Sequence, residues 1–238
     1  HIQLIGGAEK FEKQLDRLFT ESSQTTGREQ ADITGLIGQY AHGNEPSHHM
    51  AYLYNYIGKP EKTQQRVREI LSTLYHNAPD GLSGNEDCGQ MSAWFVLSSL
   101  GLYQVTPGTI DFVFGSPLFT RSILHFENGN SLKIESYNNT TTTHYIHSAS
   151  FNDISYNKSF ISYSELLSGG TLKFTMGSQP GTNFGKSPSS IPTTFVEASQ
   201  WVTNPISNAW CKSFKERSDV ARSASGPTGW STVVGSSR

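Results

Sequence analysis

Cysteine is almost missing from these 238 residues: there are two, too few for a disulfide framework. Cys88 and Cys211 also lie in stretches of such different composition that no pairing between them is expected. Charge is scarce, at 16% of residues, and nearly balanced, with twenty acidic against eighteen basic side chains for a net charge of −2. That balance argues against a nucleic acid or an anionic membrane surface as partner. No run approaches the roughly eighteen consecutive apolar residues of a membrane span. The start, His1-Ile2-Gln3-Leu4, has neither an initiator methionine nor a signal peptide and reads as the beginning of a fragment. The length suffices for one large domain or two small ones.

What is present changes character along the chain. Phe11, Leu15, Leu18 and Phe19 recur at helical spacing and predict an amphipathic helix from about Ala8 to Glu21. An irregular path through Ile33, Leu36, Ile37 and Tyr40 follows. Pro46-Ser47 then reads as a helix start with Ser47 as cap and Met50, Leu53, Tyr54 and Ile57 as the buried stripe, ended by Gly58. Pro60 restarts a helix whose stripe is Val67, Ile70, Leu71 and Leu74. A helix opening near Cys88 carries Met91, Trp94, Phe95, Val96, Leu97 and Leu100, is apolar on most sides, and is expected to be buried. Beyond Gly101 the texture is that of strands: Ile110 to Phe114, Ser122 to Phe126, Leu132 to Ser136 and Thr171 to Met176. Asn128-Gly129 forms a hairpin turn, and Ser164 to Leu167 a short helical turn. After about Pro180, serine, threonine, glycine and proline dominate, which reads as a disordered or foreign tail.

Two polar clusters carry chemistry. In Gly84-Asn85-Glu86-Asp87 adjacent carboxylates stand at a helix mouth, where Glu86 and Asp87 serve either as caps of free amides or, given the apolar helix behind them, as the wall of a site. In His42-Gly43-Asn44-Glu45-Pro46-Ser47-His48-His49, zinc is one reading, but neighbouring His48 and His49 point about a hundred degrees apart on a helix, unlike the same-face pair of a zinc protease. Asn44 and Glu45 are oxygen ligands of the kind that hold calcium or hydrogen-bond sugar hydroxyls, and both readings stay open.

These residues, with Gly38-Gln39-Tyr40-Ala41, Tyr52-Leu53-Tyr54-Asn55-Tyr56, the continuation Cys88-Gly89-Gln90-Met91-Ser92-Ala93-Trp94, Gly115-Ser116-Pro117 and Gly177-Ser178-Gln179-Pro180, strongly resemble glycoside hydrolase family 92 over roughly residues 1–186. The resemblance implies a calcium-dependent, inverting exo-α-mannosidase acting on mannose-containing glycans. It implies an α+β chain: helical hairpins from part of an (α/α)6 catalytic barrel over 1–106, a mostly antiparallel β-rich region over 107–186, and an atypical tail over 187–238. By position in the motif Asp87 is implied as general base, Glu86 is its rival, and Asn85 stands where some members carry an assisting aspartate. The stretch His42, Asn44, Glu45 and His48 is implied to bind the terminal mannose, with Asn44 and Glu45 helping to hold Ca²⁺. The general acid is implied to lie upstream of His1, so that the 238 residues alone are expected to be nearly inactive. A carbohydrate-binding protein that keeps the pocket without the acid is the alternative. Sequons at Asn138, Asn139 and Asn157, and the family's usual substrates, suggest a secreted protein.

Overall fold

The computed structural model describes residues 1–24, 26, 30 and 33–193, and His1–Thr193 form one compact unit. The tail read from the sequence lies, from residue 194 onward, outside the described residues. The described part mixes helix and sheet, with helices first and most strands after them.

Helix α1 (Ile2–Ile5) leads into α2 (Ala8–Thr20), whose buried residues Phe11, Leu15 and Phe19 are the expected stripe at intervals of four. Strands β1 (Leu36–Ile37) and β2 (Tyr40–Ala41) pair as a small antiparallel hairpin. Its turn at Gly38 (φ 61°) presses against α2 so closely that a Cβ there would lie 2.6 Å from the Phe19 carbonyl carbon.

The segment after Pro46 departs from the sequence reading. It forms a 3-10 turn, Glu45–Ser47, and a 3-10 helix, Met50–Ile57, with no side-chain cap from Ser47; Tyr54 is buried as expected, but Ala51, Tyr52 and Asn55 are buried in place of Met50, Leu53 and Ile57. Three residues per turn bring a different face inward than 3.6 would. That face is held by polar anchors: Tyr52 Oη donates to Ser98 Oγ at 2.7 Å and Asn55 Nδ2 to the Phe114 carbonyl at 3.1 Å.

Helix α3 (Pro60–Thr73) starts on its proline and buries Val67, Ile70 and Leu71. Helix α4 (Gln90–Ser99) is packed on one side only: Met91, Trp94, Ser98 and Ser99 are buried, whereas Val96 is 56% exposed. Apolar composition alone does not say which face finds neighbours, and here two serines face inward while a valine does not.

Strands β3 (Leu102–Tyr103) and β4 (Asp111–Phe114) are the shared wall between two cores. Tyr103 and Val113, paired across the ladder, face the helical core with Trp94, Tyr52 and Ile70; their neighbours Leu102 and Phe114 face a second core with Ile134, Leu172 and Phe174. This is the two-residue alternation of a strand applied to a sheet buried on both faces.

The larger sheet begins with β5 (Arg121–His125) and β6 (Ser131–Tyr137), joined through the expected turn. Only Gly129 is left-handed there (φ 84°), while Asn128 caps the turn through Oδ1 to the Asn130 amide at 3.0 Å. Strands β7 (Tyr145–Phe151) and β8 (Ile154–Ser155), not foreseen from the sequence, turn through Asn152 and Asp153, both at positive φ, as a type I′ hairpin requires. Strand β9 (Phe160–Ser162) pairs with β4. Helix α5 (Tyr163–Ser168) opens on a reciprocal Ser162/Glu165 capping box. Strand β10 (Gly170–Gly177) then enters the sheet centre, parallel to β6 and antiparallel to β7, in the order β5-β6-β10-β7-β8.

Arg68 of α3 ties the helical part to this sheet. It is 8% exposed and donates to Ser116 Oγ at 3.1 Å, the Pro117 carbonyl at 2.5 Å and Asn139 Oδ1 at 2.9 Å.

Candidate active site

The two polar clusters meet because two glycines let their backbones touch. A Cβ on Gly43 would lie 2.4 Å from Thr34 Cγ2 and 2.6 Å from the Ser83 carbonyl oxygen, and one on Gly84 (φ 114°) 3.2 Å from Gly43 Cα. Any side chain at either position would push the histidine loop away from the acidic turn.

The acidic turn is left-handed over three consecutive residues, Asp87 (φ 46°), Cys88 (φ 59°) and Gly89 (φ 88°). Two of these are not glycine, a conformation that persists only where surrounding bonds hold it. Those bonds come from the start of α4. Glu86 accepts from the Ser92 amide at 3.0 Å and from Ser92 Oγ at 2.7 Å, so its two oxygens cap the helix, and these bonds lower its pKa. Asp87, one residue on, lies against the Glu45 carboxyl of the histidine loop, and that contact raises its pKa. Asn85 is exposed on the same turn, and Asn44 is half-buried beside Glu45.

The histidines do different work. His42 is fully buried, with Nδ1 2.8 Å from Tyr40 Oη and Nε2 2.6 Å from Tyr75 Oη. Tyr75 spends its hydroxyl hydrogen on the Met91 carbonyl at 3.2 Å, so the hydrogen between it and His42 belongs to Nε2, and Tyr40 donates to Nδ1. His42 is therefore neutral, and burial, with His48 as a lesser cause, pushes its pKa down to about 3. His48 is also buried: its Nε2 donates to the His42 carbonyl at 2.9 Å and its Nδ1 accepts from Gln90 Nε2 at 3.3 Å. Trp94 completes the clasp through Nε1 to the His48 carbonyl at 3.0 Å, under the stacked His42 and His48 rings. Every ring nitrogen of the two histidines is thus engaged, which leaves neither a lone pair for zinc. Among the described residues no three His, Cys, Asp or Glu side chains gather as a metal site would require.

His49 points elsewhere and helps line a cavity of about 520 Å³ with Phe11, Leu15, Leu18, Gln39 and Met50, away from both carboxylates. Of the candidates, the structure joins Glu45 to Asp87, commits Glu86 to Ser92, and buries His42 and His48 behind the loop. Tyr40 and Gln90, which position that loop, stand in the motifs without an assigned role, and Tyr75, their partner in this, was not singled out from the sequence. Their only signal was the rule that a buried histidine or tryptophan needs polar partners.

The profile of the glycosyl hydrolase family 92 catalytic domain matches residues 2–178. A protein of Arthroderma benhamiae called an uncharacterized secreted glycosidase is 28% identical over 194 residues, covering 80% of this chain and 23% of its own. The solved family GH92 α-mannosidase of Bacteroides thetaiotaomicron is 38% identical with a TM-score of 0.73, over 79% of this chain and 24% of that one. In complex with mannoimidazole, that enzyme superposes with a TM-score of 0.76 at 34% identity, over 88% and 28%. The family GH92 inverting mannosidase of strain VPI-5482 is 35% identical with a TM-score of 0.69, over 80% and 27%. The chain thus spans about a quarter of the length of these relatives.

Proposed function

The chain belongs to glycosyl hydrolase family 92, and on that premise we propose that it forms part of the catalytic region of a secreted, inverting exo-α-mannosidase that removes terminal mannose from glycans. The helical part, 1–106, is read as a segment of an (α/α)6 barrel, and 107–186 as the β-rich region that follows it. The observation that carries the reading is the meeting of Asp87 with Glu45 across the Gly43–Gly84 contact.

In this reading Asp87 is the general base. Its carboxyl is the one of the adjacent pair that meets the histidine loop, since Glu86 is spent on Ser92, and a raised pKa makes it a better acceptor for a proton from water at neutral pH. Inversion places the acid and the base roughly 6.5 to 9.5 Å apart, on opposite sides of the sugar. Glu45, against Asp87, is too close to be that acid. On the family resemblance the general acid is read as supplied from outside these residues, and the chain alone as nearly inactive. Asn85, exposed on the same turn, stands by the resemblance where some family members carry an aspartate that assists the base.

Calcium fits the donor set in kind. Asn44 and Glu45 offer hard oxygens on the loop that meets Asp87, and two carboxyls in contact concentrate the negative charge that a cation would neutralise. Calcium takes roughly six to eight oxygens, so sugar hydroxyls, water and other residues complete the set. Bound there, it would polarise those hydroxyls and help distort the ring. The loop carrying His42, Asn44, Glu45 and His48 receives the terminal mannose, with His42 and His48 acting from behind it as positioning residues.

The test is a longer polypeptide that includes the upstream region, assayed for mannose release with and without calcium, its product anomer followed by NMR. Asp87→Asn is expected to lower turnover by roughly 10²–10⁴-fold while leaving mannose binding in place. Mannose binding without hydrolysis by the parent would establish a carbohydrate-binding protein instead, and the absence of both would end the assignment.

A further inference from the structure

Three sequons, Asn138-Asn139-Thr140, Asn139-Thr140-Thr141 and Asn157-Lys158-Ser159, stand apart from the carboxylate site, and the fold treats their asparagines differently. Asn139 is half-buried and its amide is fully used: Oδ1 accepts from Arg68 at 2.9 Å, while Nδ2 donates to the Pro117 carbonyl at 2.9 Å and the Phe119 carbonyl at 3.4 Å. Both amide hydrogens point into the junction between α3 and the large sheet. Asn138, its neighbour, is exposed and sits in the left-handed region (φ 57°) at the end of β6, where asparagine is at home. Asn157 is exposed too, and its backbone carbonyl alone is engaged, by the Gly185 amide at 2.9 Å.

We propose that Asn138 and Asn157 are acceptor sites for N-linked oligosaccharide and that Asn139, despite its intact sequon, is not. In the transfer, the bond between the sugar C1 and the phosphate of a lipid-pyrophosphate-linked oligosaccharide breaks. A bond from C1 to asparagine Nδ2 forms, one Nδ2 hydrogen leaves as a proton, and the lipid pyrophosphate departs. At Asn138 and Asn157 the hydrogen lost is one the fold does not use. At Asn139 it is one of two that hold Pro117 and Phe119, and the sugar would have to occupy the space in front of the buried Arg68. A chain modified there cannot close the junction, so folding selects against it.

The experiment expresses the full chain in a eukaryotic secretory host and maps occupied asparagines by mass spectrometry after enzymatic deglycosylation in heavy-oxygen water. Thr141→Ala abolishes only the Asn139 sequon and touches no hydrogen bond; it is expected to leave the glycan pattern unchanged, with Asn138 and Asn157 occupied. Asn138→Gly keeps the left-handed backbone and the Asn139 sequon; its secreted, folded fraction is expected to lose one glycan and gain none, with any Asn139-modified chain confined to the retained fraction. Asn157→Gln should remove the other glycan alone. A glycan on Asn139 in folded, secreted protein overturns the proposal, as does an unoccupied Asn138 or Asn157 in the Thr141→Ala protein.

Discussion

Gly43→Ala tests the contact on which the site depends. The added methyl would sit 2.4 Å from Thr34 Cγ2 and 2.6 Å from the Ser83 carbonyl oxygen, whereas real Cβ atoms do not approach heavy atoms within 3.0 Å. The first clash calls for 0.6 Å of movement (3.0 less 2.4) and the second for 0.4 Å (3.0 less 2.6). Thr34 can yield by moving its side chain. Ser83 cannot, because the atom is main chain and the next residue is Gly84, from which the acidic turn hangs. Overpacking of this kind costs about 1–3 kcal/mol. The displacement also separates Asp87 from Glu45, and misplacement by about 1 Å costs on the order of 100-fold in turnover. Urea denaturation of the chain measures the first effect, and mannose release by the upstream-extended protein the second. Thr34→Ala in the Gly43→Ala background is expected not to restore either, since the Ser83 clash stays. A Gly43→Ala protein within about 0.5 kcal/mol of wild type, the range of ordinary surface changes, would refute the reasoning.

Acid should weaken the fold through His42. Its folded pKa, about 3, lies below the ordinary 6.5, so the unfolded chain binds the proton more readily; the stability that a neutral His42 contributes is complete above pH 6.5 and is lost as the pH falls toward 3. By pH 5 the loss is about 2 kcal/mol. His42→Gln, which can still accept from Tyr40 and donate to Tyr75, is expected to flatten that slope in urea titrations at pH 7.5 and 5.0, and parallel slopes would count against it. Tyr75→Phe strands His42 Nε2–H and the Met91 carbonyl and should cost about 1–3 kcal/mol in the same assay, with no change at all as the adverse result. Arg68→Met leaves Asn139 Oδ1 and Ser116 Oγ without their buried donor, while the Pro117 carbonyl keeps Asn139 Nδ2, and is expected to cost about 1–3 kcal/mol, read as a shift in thermal midpoint; an unshifted midpoint would mean that the junction does not need the guanidinium.

Much of this was legible in the chain itself, for local reasons. Helices α2 and α3 announce themselves because their apolar residues repeat at 3.6 and their ends carry glycine or proline. The β5–β6 hairpin is visible in Asn128-Gly129, although the left-handed conformation rests on Gly129 alone. Strand β7 escaped because Tyr-Ile-His-Ser-Ala-Ser-Phe buries only Ile146 and Ala149, and the register shift opposite Thr175 and Met176 breaks the alternation a reader looks for. The segment Met50–Ile57 was read as an α-helix because period and hydrophobicity do not report which partner atoms Tyr52 and Asn55 will find.

The candidate site divides along the same line. Residue types marked Glu86, Asp87, Asn44 and Glu45 as chemistry, because ligand and acid-base character belongs to each side chain wherever it sits, and the resemblance of the motifs around them pointed to a family of hydrolases. Which carboxylate is a cap and which faces the other cluster was undecidable there: Glu86 and Asp87 are adjacent and chemically alike. Only the left-handed turn, which sends one toward Ser92 and the next toward Glu45, and the backbone crossing at Gly43 and Gly84, which brings segments about forty residues apart into touch, settle it. Likewise imidazole chemistry offered His42 and His48 as ligands, and burial against Tyr40, Tyr75, Gln90 and Trp94 made them braces, since a ring nitrogen already bonded inside a core has nothing left to offer a metal.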